Sequence, residues 1–173
     1  VTFAAVLDTC VLYPAHLRDT LLRLAERGLY RALWSADIVE ELHRNLSELI
    51  GPGAVARLLG QMAAAFPDAE ITGYQPLIDG LTCDPKDRHV LAAAVRSAAG
   101  AIVTFNIDDF PDHSVEEFDL EVIHPDTFLL DLLDLAPGAV VEELSQQAAA
   151  NRRAPTTLSQ LLDALERGGV PAF

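Results

Sequence analysis

The chain of 173 residues carries 26 acidic and 12 basic side chains, a formal net charge of −14, and is half apolar. A chain of this length removes roughly 70% of its unfolded surface from water, which predicts one packed core. Two cysteines exclude a disulfide scaffold, and a mean hydropathy of +0.22 argues against disorder. Because no apolar run approaches the roughly 20 residues of a membrane helix, we expect a cytoplasmic protein.

The charge is unevenly distributed along the chain. No Lys or Arg lies between Arg96 and Arg152, whereas 12 acids lie between Asp108 and Glu143. An acidic balance argues against a nucleic-acid partner, because phosphate binding normally requires a basic surface. Outside the acidic segment, however, acids and bases are nearly balanced. The net charge therefore does not exclude RNA as a substrate.

Short apolar runs alternate with amphipathic segments over most of the chain. The period and length of the apolar runs predict strands at residues 3–7, 30–34, 70–72, 101–105 and 120–123. Capping residues, prolines and glycines predict helices at 14–28, 35–50, 55–66, 76–81, 84–100 and 125–133. This alternation predicts an α/β fold with a parallel sheet covered on both faces.

The pattern changes after Leu135. Pro137 and Gly138 interrupt the chain, and the apolar spacing then predicts two helices, at residues 139–150 and 157–167. We therefore expect a first domain at residues 1–135 and a helical C-terminal extension at 136–173. The extension either packs on the first domain or provides a surface for a partner or a second copy.

Four acids lie at places where open α/β sheets bind ligands, beyond the carboxyl ends of the strands. Asp8 follows the first strand, Glu41 lies two turns into a helix, Asp87 lies in a first helical turn, and Asp109 follows the fourth strand. Each could separately be a cap or a solvated acid. Together they would repel one another unless a divalent cation neutralised them. Oxygen ligands alone suit Mg²⁺ or Mn²⁺.

Five segments carry a resemblance to a known family. They are LDTCVLY, SADIVEELHRNL, DPKDRHVLAAAV, IVTFNIDDF and VIHPDTFLL. In this order they resemble the PIN domain, the nuclease fold of VapC-type toxins, over residues 3–130. The match is closer to longer bacterial PIN proteins with a helical tail. The resemblance implies a three-layer α/β/α fold with a central five-stranded parallel sheet, followed by the helical extension.

The resemblance also implies an activity. PIN toxins are metal-dependent endoribonucleases, which use one or two Mg²⁺ or Mn²⁺ ions to hydrolyse RNA to 5′-phosphate and 3′-hydroxyl ends. They are paired with an antitoxin protein and commonly form homodimers. By this resemblance the metal-binding acids are Asp8, Glu41, Asp87 and Asp109, with Thr104 and Asn106 supporting them. The neighbouring acids Glu40, Asp84 and Asp108 are alternative members of the site, and Asp84 is also predicted to cap a helix.

Three basic residues are candidates for holding RNA phosphates, since cations near a metal site commonly bind the substrate backbone. They are Lys86, Arg88 and Arg18. Which RNA is bound and which sequence is cleaved cannot be predicted from the chain.

Two alternatives to a nuclease remain. A catalytically silent PIN module would bind RNA or a protein partner without cleavage. The opening LDTCVLY also resembles the phosphatases of the haloacid dehalogenase class, but these need a second aspartate where Cys10 stands. A nucleophilic role for Cys10 lacks a recognisable base, so we expect a small buried thiol.

Overall fold

Five parallel strands form the central sheet, in the spatial order β3-β2-β1-β4-β5. The computed structural model of the protein describes residues 2–173. The strands are β1 (Ala4–Leu7), β2 (Arg31–Ser35), β3 (Glu70–Ile71), β4 (Ala101–Val103) and β5 (Glu121–Ile123). The five predicted strands and their parallel arrangement are confirmed, with ends shifted by one or two residues.

Nine α-helices connect and follow the strands within the described residues. They are α1 (Thr9–Leu12), α2 (Ala15–Glu26), α3 (Ala36–Ile50), α4 (Pro52–Ala65), α5 (Arg88–Ser97), α6 (Asp112–Val115), α7 (Pro125–Leu135), α8 (Pro137–Ala150) and α9 (Leu158–Arg167). The connections from β1 to β2 and from β3 to β4 run in opposite directions across the sheet. Right-handed crossovers therefore place α2 and α5 on opposite faces, which gives the predicted three layers.

The helix boundaries follow from local chemistry. Ser35 accepts a hydrogen bond from Ile38 N and begins α3, as predicted, and Gly51 ends it with a φ of 84°. Because proline suits a first helical turn, α4 begins already at Pro52, earlier than the predicted residue 55. For the same reason α8 begins at Pro137, where the sequence had suggested a break in the chain.

The predicted start of α5 at Asp84–Pro85 is wrong. Residues Pro85–Asp87 form a 3₁₀ turn, and α5 begins only at Arg88. The Asp84 side chain accepts a hydrogen bond from Lys86 N, so the predicted capping role of Asp84 is seen on this turn. Asp87 consequently lies at the junction of the turn and α5.

The C-terminal helices pack on the rest of the chain. Helix α8 contacts α2 and α7, and α9 contacts α2 and α8. The buried residues Thr20 of α2 and Gln147 of α8 share a 2.8 Å hydrogen bond, and Arg27 forms ion pairs with Glu142 and Glu143. Within residues 2–173, no helix is long and apolar enough to cross a membrane.

Candidate active site

The carboxyl ends of β1 and β4 lie side by side at the centre of the sheet. Leu7 pairs with Val103, and Asp8 N donates a 3.1 Å hydrogen bond to the Val103 carbonyl. From β1 the chain proceeds to β2 and β3 on one side and later to β4 and β5 on the other. Ligands bind at such switch points in open α/β sheets. Asp8 and the residues after β4 are therefore in the expected place for a site.

The Asp8 carboxylate is held in one orientation. Its Oδ1 accepts a 2.7 Å hydrogen bond from Thr9 N, and its Oδ2 accepts a 2.8 Å hydrogen bond from the Thr104 hydroxyl. The Cys10 thiol lies 3.4 Å from the same Oδ2. Asp8 and Thr104 are both buried. These contacts fix the carboxylate before any ligand binds, which reduces the ordering cost of binding.

Cys10 is a structural part of this network. Its sulfur accepts a hydrogen bond from Phe105 N at 3.3 Å and lies 3.3 Å from Thr104 Oγ1. Burial raises the pKa of the Cys10 thiol to about 12, and the negative charge of Asp8 adds to the effect. A thiol with this pKa stays protonated near neutral pH, so it is a poor nucleophile. Cys10 is only partly buried, unlike the buried thiol expected from the sequence, and its protonated state still argues against a nucleophilic role.

Glu41 reaches the same region from α3. The Thr9 hydroxyl donates a 3.1 Å hydrogen bond to Glu41 Oε2, and Thr9 N binds Asp8, so one residue orients both acids. His89 Nε2 lies 3.9 Å from Glu41 Oε2. The Glu41 side chain is 37% exposed, more than the other acids of the site. Glu41 therefore has the most freedom to move toward a ligand.

Asp87 and Asp109 both lie next to Lys86, whose side chain is 67% exposed. Lys86 Nζ lies 3.2 Å from Asp109 Oδ2 and 3.9 Å from Asp87 Oδ2. Burial and the negative charges of Asp8 and Asp109 together raise the pKa of Asp87 to about 7, against the lowering effect of Lys86. The carboxylates are thus close enough to repel one another.

These side chains surround an open cleft of about 580 Å³. Its lining residues are Asp8, Thr9, Cys10, Tyr13, Glu41, Asn45, Glu48, Lys86, Asp87 and Asn106. Thr104 contacts Asp8, and Asp109 contacts Lys86, from outside this lining. The structure therefore brings together, in or directly beside one cleft, all six side chains that were predicted as catalytic.

The predicted RNA-contacting cations are placed differently from one another. Lys86 lines the cleft. Arg18 donates hydrogen bonds to the carbonyls of Leu12 and Tyr13, at 2.8 and 3.1 Å, and so closes the end of α1. Arg88 turns toward the Cys83 carbonyl, at 3.5 Å. Arg18 and Arg88 lie outside the cleft lining, and their guanidinium groups interact with the protein's own backbone.

The three alternative acids, Asp84, Glu40 and Asp108, differ in their positions relative to the cleft. Asp84 is a cap, as described above, and its backbone N–H donates to the Asp109 carbonyl at 3.0 Å. Glu40 lines a neighbouring cleft of about 430 Å³, of which Glu41 and Lys86 also form part. Asp108 is exposed. None of these three acids lines the active-site cleft itself.

Four lining residues were missed by the sequence reasoning: Thr9, Tyr13, Asn45 and Glu48. Asn45 and Glu48 follow Glu41 by four and seven residues, a spacing that puts them on the same helix face. That signal was present in the sequence. Thr9 stands directly after Asp8, but its contact with Glu41 depends on how α1 and α3 pack together.

The chemistry of the side chains around the cleft fits a divalent cation. The side-chain oxygen Oδ2 of Asp87 is buried and, among residues 2–173, has no hydrogen-bond partner. A buried carboxylate oxygen that accepts no hydrogen bond and lies near other carboxylates is the environment that a hard cation stabilises. No three His, Cys, Asp or Glu side chains of the described residues converge closely enough to hold an ion as they stand. The donor set fits a cation, and coordination requires small side-chain movements.

Comparison with known proteins identifies the family. A PIN domain model matches residues 4–108, and the model of a VapC50 C-terminal domain matches residues 125–173. The chain belongs to the PIN domain family. The second match includes α7 as well as the two helices that follow it.

One curated relative is similar in sequence. The Mycobacterium tuberculosis protein named "Putative ribonuclease VapC50" is 45% identical over 101 residues, which cover 58% of this chain and 59% of the relative. The alignment thus spans less than two thirds of either protein. No solved structure matches the chain significantly.

Proposed function

We propose that the protein is a divalent-metal-dependent endoribonuclease and the toxin of a VapBC-like toxin–antitoxin pair. The observation that carries the proposal is the position of Asp8, Glu41 and Asp87 around one open cleft, with Asp109 directly beside it. Membership of the PIN family and the name of the mycobacterial relative support it. A module that only binds RNA has no evident need for acids that repel the RNA backbone.

Asp8, Glu41, Asp87 and Asp109 would hold the cation, and the Asp87 oxygen that accepts no hydrogen bond is available for it. Nucleases of this family generally use divalent metals. When bound, Mg²⁺ or Mn²⁺ supplies positive charge next to the scissile phosphate and makes a water molecule more acidic. No covalent intermediate on the protein is required, and the expected products carry 5′-phosphate and 3′-hydroxyl ends.

The protein's own side chains orient the reacting groups. Thr104 holds Asp8 in a fixed orientation, and Thr9 donates a hydrogen bond to the more mobile Glu41. Asn106 lines the cleft and presents an amide, which can donate to a phosphate oxygen without adding charge. Lys86 is exposed and can swing from Asp109 to the RNA backbone. These groups bind and align the substrate, which is where positioning contributes most to rate.

A partner protein with a basic side chain would inhibit this site directly. The Lys86 ammonium already lies within 3.9 Å of both Asp87 and Asp109, so the acids accept a cation at this place. We propose that the cognate antitoxin inserts an arginine among the carboxylates, where a planar guanidinium can bind two oxygens at once. We also propose that the pair acts in the cytoplasm and that the toxin forms homodimers.

The test is RNA cleavage by the purified protein and by its Asp8→Asn and Asp87→Asn variants. Total RNA is incubated with MgCl₂ or MnCl₂ and the new ends are sequenced. We expect wild-type cleavage with 5′-phosphate ends, its loss by on the order of 100-fold or more in both variants, and no cleavage with EDTA. Asp108→Asn is the matched control, because it removes an exposed acid directly beside Asp109 that does not line the cleft.

Equal cleavage by wild type and both variants would contradict the proposal. RNA binding without cleavage at any metal concentration would favour the silent module. Light scattering on the isolated protein measures whether it is a homodimer.

A further inference from the structure

The last residues of the chain pack against the turn that follows β4. We define the C-terminal segment as Gly168–Phe173. It is attached to the C-terminus of α9, since Gly168 N and Val170 N donate hydrogen bonds to the carbonyls of Ala164 and Leu165 at 3.0 and 3.1 Å. Val170 is 2% exposed. The segment is therefore fixed at its start.

The far end of the segment is held by a carboxylate of α7. Asp126 accepts hydrogen bonds from Ala172 N at 3.1 Å and from Phe173 N at 2.9 Å. Asp126 lies in the first turn of α7, and its own N–H is bonded to His124 Nδ1 at 3.1 Å. The C-terminal segment thus bridges α9 and the start of α7.

At its first attachment, the segment contacts Phe105 through Gly169. A Cβ atom at Gly169 would lie 2.8 Å from Phe105 Cε1, closer than carbon atoms approach one another without a shift. On another side, the Phe105 ring meets His124 edge-on, with ring centroids 5.1 Å apart. The ring is held between Gly169 and His124, and only a glycine leaves enough space for it.

The backbone of Phe105 belongs to the network around Asp8. Its N–H donates to Cys10 Sγ at 3.3 Å, and the next N–H, of Asn106, donates to Thr104 Oγ1 at 3.0 Å. Thr104 in turn donates to Asp8 Oδ2 at 2.8 Å. A displacement of Phe105 that reaches its backbone would therefore move the atoms that orient Asp8 and place Asn106 in the cleft.

We propose that the C-terminal segment is a positioning element of the active site: Gly169 and His124 hold Phe105, and Phe105 holds the Thr104–Asn106 turn in the geometry that aligns Asp8. The effect on catalysis rests on the proposed function. The effect on the structure rests on the contacts described above. The helical extension is then part of the working site, and its docking controls the rate.

The test uses the full-length Gly169→Ala variant with Gly28→Ala as the matched control. Both glycines have positive φ, 106° and 84°, so alanine strains the backbone at each. Nothing lies within 4 Å of a Cβ at Gly28, whereas the one at Gly169 meets Phe105. The two variants therefore share the backbone strain and differ in the contact with Phe105.

Two measurements separate positioning from general destabilisation. Initial rates are measured with a fluorophore–quencher single-stranded RNA of mixed sequence in MnCl₂. We expect kcat of Gly169→Ala to fall about tenfold with little change in KM, because a shift of well under 1 Å misaligns the acids. The second measurement is the rate at which maleimide labels Cys10, in a Cys83→Ala background. We expect faster labelling, because a displaced Phe105 backbone no longer donates its 3.3 Å hydrogen bond to the sulfur.

A compensating substitution completes the test. Phe105→Leu in the Gly169→Ala background shortens the side chain and relieves the contact but leaves the strained φ, so we expect kcat and the labelling rate to return toward wild type. Unchanged kcat and labelling in folded Gly169→Ala would overturn the proposal, as would equal effects of Gly28→Ala. If the wild type cleaves no RNA, the proposed function fails, and the labelling rates alone decide this inference.

Discussion

The Thr104 hydroxyl donates a 2.8 Å hydrogen bond to Asp8 Oδ2 and joins the ends of β4 and β1. The same oxygen of Thr104 accepts a hydrogen bond from Asn106 N. One hydroxyl thus fixes a candidate metal ligand and the backbone of a cleft-lining amide. Groups that orient metal ligands in this way typically contribute 10–100-fold to metal affinity or activity.

Thr104→Val removes this hydroxyl and keeps the shape of the side chain. We expect metal affinity or kcat to fall by about 10–100-fold, because Asp8 loses a donor. Calorimetric titration with MnCl₂ measures the affinity, and RNA cleavage measures the rate. Thr104→Ser, which keeps the hydroxyl, is the control and should retain most of both. Wild-type values for the valine variant would show that Asp8 needs no support from β4.

Asp87→Asn is expected to stabilise the metal-free fold at high pH. The pKa of Asp87 is raised from 3.8 to about 7, so the folded state binds the proton more tightly than the unfolded state does. The stability that protonation provides is complete below pH 3.8 and is lost as the pH rises through 7. An asparagine at position 87 is neutral at every pH, so the variant keeps this stability as the pH rises.

Urea unfolding in EDTA at pH 5 and pH 8 measures this effect. At pH 8 we expect Asp87→Asn to be more stable than wild type by roughly 1–2 kcal/mol, after allowance for solvent screening, with a smaller gain at pH 5. Asp108→Asn controls for loss of an exposed acid and should change little at either pH. Equal effects of the two substitutions would mean that the acids around Asp87 do not repel it.

Lys86→Gln is expected to change metal and RNA dependence in opposite directions. The ammonium lies 3.2 Å from Asp109 and competes with a cation for that carboxylate. Without it, the Mn²⁺ concentration for half-maximal activity should fall several-fold, while KM for RNA should rise as a phosphate contact is lost. Lys86→Arg keeps the charge and is the control. A higher Mn²⁺ requirement in the glutamine variant would contradict the competition.

The arrangement of the sheet and the acids could be predicted because their signals are local. Asp8 directly follows an apolar run, and a parallel sheet brings the ends of β1 and β4 together at one edge. The start of α5 could not be predicted in the same way. Asp84 N bonds to the Asp109 carbonyl, a contact 25 residues away that favours a 3₁₀ turn over a regular helical turn.

The role of Arg18 was hidden for a similar reason. Sequence periodicity does not detect α1, a helix of four residues, so the carbonyls that Arg18 binds at its end were not foreseen. The contact between Gly169 and Phe105 joins residues far apart in the chain and leaves no pattern in the sequence. Local pattern thus predicts elements and ligands, whereas the groups that orient the ligands depend on tertiary packing.

Gln147→Ala tests the docking of α8 on α2. Gln147 is 1% exposed, accepts a 2.8 Å hydrogen bond from the Thr20 hydroxyl and donates one of 3.1 Å to the His16 carbonyl. Removing both contacts leaves the Thr20 hydroxyl with only the His16 carbonyl, 3.0 Å away, and empties buried space, so we expect a loss of about 1–3 kcal/mol in the free energy of unfolding. Gln146→Ala is the matched control, because Gln146 is exposed and its amide reaches only Glu142, at 3.5 Å. Urea unfolding compares the two variants. If both lose equally little, the buried pair adds nothing to the docking of α8, and the ion pairs of Arg27 and the apolar contacts must carry it.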